Sequence, residues 1–170
     1  MSDTLSKRGR VTGFFHAGVT VSDTEASLVF YRDVLGLEVA FDGESAVETA
    51  REIWGIEPDR VRVIFLRVPE TDSMVELFEF FGIERHSASA RPCDYGAGHM
   101  CLFVEDAEAL HERAAEHGFR SRAGHVVTIQ KGPHAGAKAV YLIDPDGYHI
   151  ECYERSPDGP DIVASLNGQS

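Results

Sequence analysis

Two histidines and two glutamates recur in the same order along the chain. His16 and His99 each lie at the start of an apolar, strand-like stretch, and Glu76 and Glu151 each lie in a later alternating stretch. Alternate side chains of a strand point to opposite faces, so all four can point away from the apolar face that packs on a helix. Two imidazoles and two carboxylates suit a six-coordinate divalent ion such as Fe, Co, Ni, Mn or Zn. If the sheets of the two halves curve towards each other, these four side chains converge and could hold one divalent metal ion per site.

Each residue taken alone has a simpler explanation. A single histidine near the start of a strand is structural or exposed in most proteins, and a single inward glutamate is normally paired with a basic residue. The pattern favours a metal site because a histidine and a glutamate occupy matching strand positions twice. That repetition makes the metal site hard to dismiss, but on the residues alone both interpretations stay open.

The elements that would position these residues also recur. Ser22 or Asp23, and later Asp106, are typical residues to begin a helix, and Gly36 is typical of the position after its end. Each half is predicted to run strand, helix, strand, strand, strand. In the first half, apolar residues at helical spacing over 44–56 predict an inserted helix at the mouth of a cleft.

The chain divides into five predicted segments. These are a flexible leader at 1–12, a first βαβββ module at 13–82, a linker at 83–98, a second module at 99–155 and a tail at 156–170. The linker has no clear periodicity and is rich in Ser, Pro, Gly and Asp. A length of 170 residues is enough for one substantial core or two small fused modules. The fold class is therefore predicted to be α+β.

The composition argues against several classes of binding partner. The net charge is −12, from 16 basic and 28 acidic residues, which argues against nucleic acid or an anionic membrane surface. The three cysteines are odd in number and form no CxxC motif, so free thiols in a reducing cytoplasm are expected. No apolar run approaches the roughly 20 residues of a membrane-spanning helix. The net charge says little about a small-molecule substrate, because an acidic protein can contain a local basic pocket.

Four stretches resemble a known family: FYRDVLGLEV, VELFEF, GHMCLFVED and DPDGYHIECYE. They are similar to segments of the vicinal-oxygen-chelate superfamily, which includes glyoxalase I, methylmalonyl-CoA epimerase, extradiol dioxygenases and the fosfomycin and bleomycin resistance proteins. The resemblance implies paired βαβββ modules that form a curved, cup-like mixed sheet around a metal. It places the family's four ligand positions on His16, Glu76, His99 and Glu151.

The ligand set implies an activity. A His/Glu/His/Glu set resembles glyoxalase I and certain sugar epimerases. This implies isomerase, epimerase or lyase chemistry through a metal-stabilised enediolate on a small hydroxy-carbonyl substrate, with Glu151 and Glu76 as the bases. The alternatives are an extradiol-type ring-cleaving dioxygenase with Fe(II) and oxygen, and a non-catalytic protein that binds a small-molecule drug. Bacterial glyoxalases place an arginine and an asparagine near glutathione where this chain has Thr20 and Phe80.

Further residues are weaker candidates for substrate contact. They share the face of one glutamate or belong to the loop before the last hairpin: His149, Tyr153, Phe78, Phe80 and Lys138. The neutral explanations are a histidine at the rim, aromatic core packing and a solvated loop. Relatives pair their modules within one chain or across a dimer. A homodimer is expected, and both arrangements of the modules stay open.

Overall fold

The computed structural model describes residues 9–88, 90–157, 159, 162 and 163. Residues 1–8 of the predicted leader and most of the predicted tail lie outside the described residues. The first half contains, in chain order, β1 (His16–Thr20), α1 (Thr24–Leu28) with a π-helical continuation (Val29–Val34), β2 (Glu38–Ser45), α2 (Val47–Trp54), β3 (Arg60–Arg67) and β4 (Met74–Phe81). The second half contains β5 (His99–Val104), α3 (Ala107–Glu116), β6 (Arg120–Ser121), β7 (Val127–Thr128), β8 (Lys138–Ile143) and β9 (His149–Glu154).

Each half forms its own mixed sheet. The strand order is β1-β4-β3-β2 in the first sheet and β5-β9-β8-β6 in the second, where β7 also pairs with β8. In both sheets the first strand runs parallel to the last, and the remaining pairs are antiparallel. This repeated topology confirms the predicted α+β class with two related modules.

The helices begin where the sequence predicts. The Asp23 carboxylate accepts hydrogen bonds from the backbone N–H groups of Glu25 and Ala26, at 2.8 and 3.1 Å. The Asp106 carboxylate accepts one from the N–H of Ala109, at 3.0 Å. Both aspartates therefore satisfy amide groups that the first turn of a helix leaves without an intrahelical partner.

The first helix changes its winding after Leu28. The N–H of Leu35 donates to the carbonyl of Phe30, five residues earlier, at 3.0 Å. A regular helix would pair residues four apart, so the single continuous helix expected from the spacing is replaced at its end by a wider π turn. Phe30, Tyr31 and Val34 of this segment are all fully buried.

The two halves share one hydrophobic core. It contains buried residues from the helix-facing sides of both sheets and from the helices of both halves. The Phe30 and Phe119 rings meet edge to face with centroids 4.9 Å apart. The Tyr31 hydroxyl donates to Asp144 at 2.9 Å. The Arg113 side chain donates to the Val34 carbonyl at 2.8 Å. The opposite faces of the two sheets are those that carry the candidate ligands.

The inserted helix α2 packs on the Glu76 side of the first sheet. The Trp54 ring lies edge-on against Phe78 and Phe80, with centroids 5.0 and 5.5 Å away. A second buried cluster, centred on Ala50 and strand β3, forms beneath this helix. Within the described part of the chain, no helix is long and apolar enough to cross a membrane.

Candidate metal centre

The first half brings one histidine and one glutamate together. His16 is the first residue of β1 and Glu76 is the third residue of β4. These strands are parallel neighbours in which Gly18 lies opposite Glu76. The His16 Nε2 atom lies 2.8 Å from the Glu76 Oε2 atom. An imidazole nitrogen and a carboxylate oxygen therefore point at each other from adjacent strands.

The second half repeats this arrangement. His99 is the first residue of β5 and Glu151 is the third residue of β9. Cys101 lies opposite Glu151, as Gly18 lies opposite Glu76 in the first half. The His99 Nε2 atom lies 3.2 Å from the Glu151 Oε2 atom. Both halves thus use the same strand positions to form a pair, which we call the first and second His/Glu pair.

Aromatic rings surround the first pair. The His16 ring lies 4.7 Å from the Phe15 ring and 5.6 Å from the Phe65 ring, in both cases edge to face. Glu76 is only 7% exposed. Burial raises the pKa of the Glu76 carboxyl, and the neighbouring His16 offsets part of that increase. Isolating a carboxylate in this way costs free energy that a bound cation would recover.

The atoms of the first pair fit a divalent cation. The His16 Nδ1 atom is buried and has no hydrogen-bond partner within the part of the chain that the structure describes. A Cβ at Gly18 would lie 3.3 Å from the Phe78 ring and 3.9 Å from Glu76 Oε2, so the glycine keeps space open beside the carboxylate. Borderline nitrogen and hard oxygen donors are the set that Zn, Fe, Co, Ni and Mn accept.

The second pair has a polar neighbour that sequence reasoning did not identify. The Tyr141 hydroxyl lies 3.2 Å from His99 Nε2 and donates to Glu151 Oε2 at 3.1 Å. Burial, the charge of Glu151 and this hydrogen bond raise the pKa of Tyr141 to about 12. Burial, the charge of Glu151 and a hydrogen bond to Glu151 also raise the pKa of Cys101 to about 12. The signal available in the sequence was the tight turn at 144–147, which sets Tyr141 opposite Glu151 in the hairpin.

The two pairs do not form a single cluster. Among residues 9–88, 90–157, 159, 162 and 163, no three His, Cys, Asp or Glu side chains are grouped so that they could hold a metal ion. The structure therefore brings together His16 with Glu76 and His99 with Glu151, but not one pair with the other. A single four-ligand site stays a prediction, and so does the choice between pairing within one chain and pairing between two copies.

The five weaker candidates occupy different environments. His149 is 5% exposed, and its Nε2 atom is buried without a hydrogen-bond partner among the described residues. It lies beside His99 in the strand register, and burial lowers its pKa. The Tyr153 hydroxyl pairs with the Nδ1 atom of His134 at 2.9 Å. Any substrate contact by either residue stays a prediction.

The remaining candidates are already engaged by other groups. Phe78 and Phe80 stack 6.0 Å apart beneath α2, which agrees with core packing. Lys138 was predicted in a loop, but it is the first residue of β8, where strand pairing with Thr128 and Glu154 extends the sheet. Its Nζ atom lies 3.3 Å from Glu154 Oε1.

A cleft of about 880 Å³ opens between the two halves. It is lined by the end of β1, by parts of the predicted linker and by the turn that precedes β9, including Thr20, Arg85, Tyr95 and His149. A volume in this range accommodates a small organic molecule. The lining includes His149 and Gly98, which adjoin His99 in the sheet and in the chain, but none of the four candidate ligands lines the cleft.

Comparison with known proteins assigns the family. Residues 13–152 match the model of the Glyoxalase/Bleomycin resistance protein/Dioxygenase superfamily. The chain belongs to this superfamily. The match spans both modules, so the resemblance drawn from the four sequence stretches is confirmed. In this member, the two His/Glu pairs, formed by β1 with β4 and by β5 with β9, are the candidate centre.

Relatives in the superfamily include named enzymes. The chain is 30% identical over 143 residues to a 2-epi-5-epi-valiolone epimerase from Actinomyces sp., covering 80% of this chain and 75% of the relative. It is 28% identical over 149 residues to a lactoylglutathione lyase from Salmonella typhimurium, covering 85% and 93%. A glyoxalase family protein from Bacillus cereus has the same fold, with a TM-score of 0.73, 18% identity and coverage of 88% and 97%. These similarities support an enzyme of the glyoxalase-like lyase and epimerase group.

Proposed function

We propose that this protein is a divalent-metal-dependent isomerase, epimerase or lyase acting on a small hydroxy-carbonyl compound. The observation that carries the proposal is the double occurrence of a His Nε2 atom facing a Glu Oε2 atom, at 2.8 and 3.2 Å, on equivalent strands. The relatives named as an epimerase and a lyase support the same class of chemistry. The members of this superfamily act on small molecules, which supports a small-molecule substrate.

Four residues would hold the metal: His16 and Glu76 from the first half, and His99 and Glu151 from the second. The ion, one per site and of the Fe, Co, Ni, Mn or Zn type, would polarise a substrate carbonyl and make the adjacent C–H bond more acidic. The imidazoles supply neutral nitrogen donors, and the carboxylates balance the positive charge.

The two glutamates are the proposed proton carriers. A carboxylate can remove the proton beside the carbonyl and return it to the same or a neighbouring carbon. Glu76 is suited to this because its burial already raises its affinity for a proton. Glu151 belongs to the other half, so the two carboxylates can reach opposite faces of one substrate. Two bases on two faces permit isomerisation or epimerisation.

The substrate is proposed not to be a glutathione adduct. Bacterial glyoxalases use an arginine and an asparagine at the positions that Thr20 and Phe80 occupy here. Phe80 is 8% exposed and packs under Trp54, so it offers no polar group to a peptide. Small hydroxy-carbonyl compounds without a peptide portion are therefore the proposed substrates.

The complete site is proposed to form between two copies of the chain. The first and second His/Glu pairs are not grouped within the described residues of a single chain. Large aromatic side chains of both halves are left exposed: Phe15 at 59%, Phe41 at 49% and Phe103 at 52%. A second copy related by a two-fold axis would cover apolar surface and bring a second pair to each first pair. The expected assembly is therefore a homodimer.

Metal analysis and isotope exchange test the function. The purified protein should contain close to one divalent ion per chain. In D₂O, candidate hydroxy-carbonyl compounds should acquire deuterium at the carbon beside the carbonyl, and His16→Ala or Glu151→Gln should abolish that exchange. A protein that binds no divalent ion contradicts the proposal and favours simple small-molecule binding. Oxygen consumption with a catechol and Fe(II) would instead establish the dioxygenase chemistry.

A further inference from the structure

The two His/Glu pairs differ at one equivalent position. In the first sheet, Phe65 of β3 lies opposite Glu76. In the second sheet, Tyr141 of β8 lies opposite Glu151. Both residues are aromatic, and each lies on the strand that flanks the glutamate on the side opposite the histidine. They differ by a single hydroxyl group, which therefore distinguishes the chemistry of the two halves.

That hydroxyl is placed between the two candidate ligands. The Tyr141 oxygen lies 3.2 Å from His99 Nε2 and 3.1 Å from Glu151 Oε2, and these two atoms lie 3.2 Å from each other. The three atoms form a nearly equilateral triangle. A phenol has one proton to donate, and the geometry directs it to the carboxylate. The oxygen can still accept a hydrogen bond from a protonated His99 ring.

The fold itself does not require this hydroxyl. Phe65 occupies the same register position in a sheet of the same topology, and its ring packs at 5.6 Å from His16 without any polar atom. The Tyr141 ring likewise lies 5.1 Å from the His99 ring. The aromatic ring is thus common to both halves and serves packing. The oxygen is an addition on the side of the second pair only.

The second pair also has more need of external support. The side chains of His99 and Glu151 are 44% and 20% exposed, against 31% and 10% for His16 and Glu76. The first pair is held by surrounding rings, whereas exposed side chains can rotate away. A hydrogen bond to a carboxylate restricts that rotation and stabilises the ionised form that a cation requires.

We infer that Tyr141 is a positioning residue of the metal centre, whose hydroxyl holds Glu151 beside His99 and orients that carboxylate towards a single bound cation. The inference rests on the proposed function, because it assigns the second pair to metal binding. It makes the halves unequal: the first pair is preorganised by aromatic packing and the second by one hydrogen-bonding phenol. Loss of the hydroxyl should therefore weaken metal binding without unfolding the protein.

The test compares Tyr141→Phe with Tyr153→Phe in the full-length protein. Both variants remove one phenolic oxygen from neighbouring strands of the second sheet, but the Tyr153 hydroxyl pairs with His134 and not with a candidate ligand. Zn²⁺ and Co²⁺ affinities are measured by competition with a chelating dye, and thermal unfolding shows that each variant folds. Tyr141→Phe should lower the affinity for both ions about 10- to 100-fold, the range seen when a hydrogen-bond partner of a metal ligand is removed. Tyr153→Phe should leave both affinities unchanged.

A metal-free measurement separates this inference from the proposed function. In ¹⁵N spectra of the histidine rings, Tyr141→Phe should shift the nitrogen signals of His99 and leave those of His16 in place. Unchanged His99 signals, or unchanged metal affinity in a variant of a metal-binding parent, would overturn the role of Tyr141. If the parent protein binds no metal but Tyr141→Phe still shifts the ¹⁵N signals of His99, the contact between Tyr141 and His99 is established and the proposed function fails.

Discussion

A mixture of two inactive variants should recover activity if the metal centre forms between copies. His16→Ala removes a ligand from the first pair, and Glu151→Gln removes one from the second. In a two-fold dimer, each centre would combine the first pair of one copy with the second pair of the other. In a mixed dimer, one centre then contains both substitutions and the other contains neither.

The size of the recovery follows from this arrangement. Random association gives about half mixed dimers, each with one intact centre of its two, so activity should return to about a quarter of the parent value. The two variants are co-expressed with different affinity tags, and deuterium exchange into the substrate is followed by NMR. Purifying the doubly tagged dimers should raise the recovery to about half.

A matched pair of variants provides the control. His16→Ala mixed with Glu76→Gln places both substitutions in the first pair, so every centre is damaged whichever way the copies pair. This mixture should stay inactive. If His16→Ala with Glu151→Gln also stays inactive although mixed dimers are isolated, the centre does not form between copies and our account of its assembly is refuted.

Three further predictions concern stability. Tyr31→Phe removes a hydrogen bond to the buried Asp144, which keeps two backbone N–H donors, and should lower the free energy of unfolding by about 2 kcal/mol in urea titrations. Gly82→Ala should cost about 1–3 kcal/mol because Gly82 has a φ of 72° and an added Cβ would overlap the Asp59 carboxylate. In metal-free protein, the pKa of Glu76 is raised, so the folded state binds the carboxyl proton more tightly than the unfolded state does. The free energy of unfolding should therefore decrease as the pH rises above the pKa that a glutamate has in the unfolded chain. Glu76→Gln should remove that decrease.

Each of these has a simple check. Tyr95 is fully exposed, so Tyr95→Phe should leave the urea midpoint unchanged. Gly55 has a φ of 67° with open space around its Cβ position, so Gly55→Ala isolates the conformational cost from the steric overlap. A Gly82→Ala variant no less stable than Gly55→Ala would contradict the overlap. A metal-free Glu76→Gln variant with the parent's pH profile would contradict the effect of burial on Glu76.

Sequence periodicity identified most of the fold because the signals involved are local. Alternation marked the strands, and Asp23 and Asp106 marked helix starts whose capping bonds depend on residues two or three positions away. The π turn at 29–34 was missed because its cost is recovered by burying Phe30 and Tyr31 in a core shared with the second half. That gain depends on partners distant in sequence.

Some features of the candidate site were likewise predictable from the sequence, and others depend on tertiary contacts. The sequence by itself determined that each half places a histidine at the start of its first strand and a glutamate in its last strand, because strand alternation assigns both to one face. Only the tertiary structure decided that the His and Glu atoms meet at 2.8 and 3.2 Å and that Tyr141 joins the second pair. It also decided that the two pairs are not grouped among the described residues of one chain. Those facts depend on cross-strand register and on how two modules pack, which are set by contacts far apart along the chain.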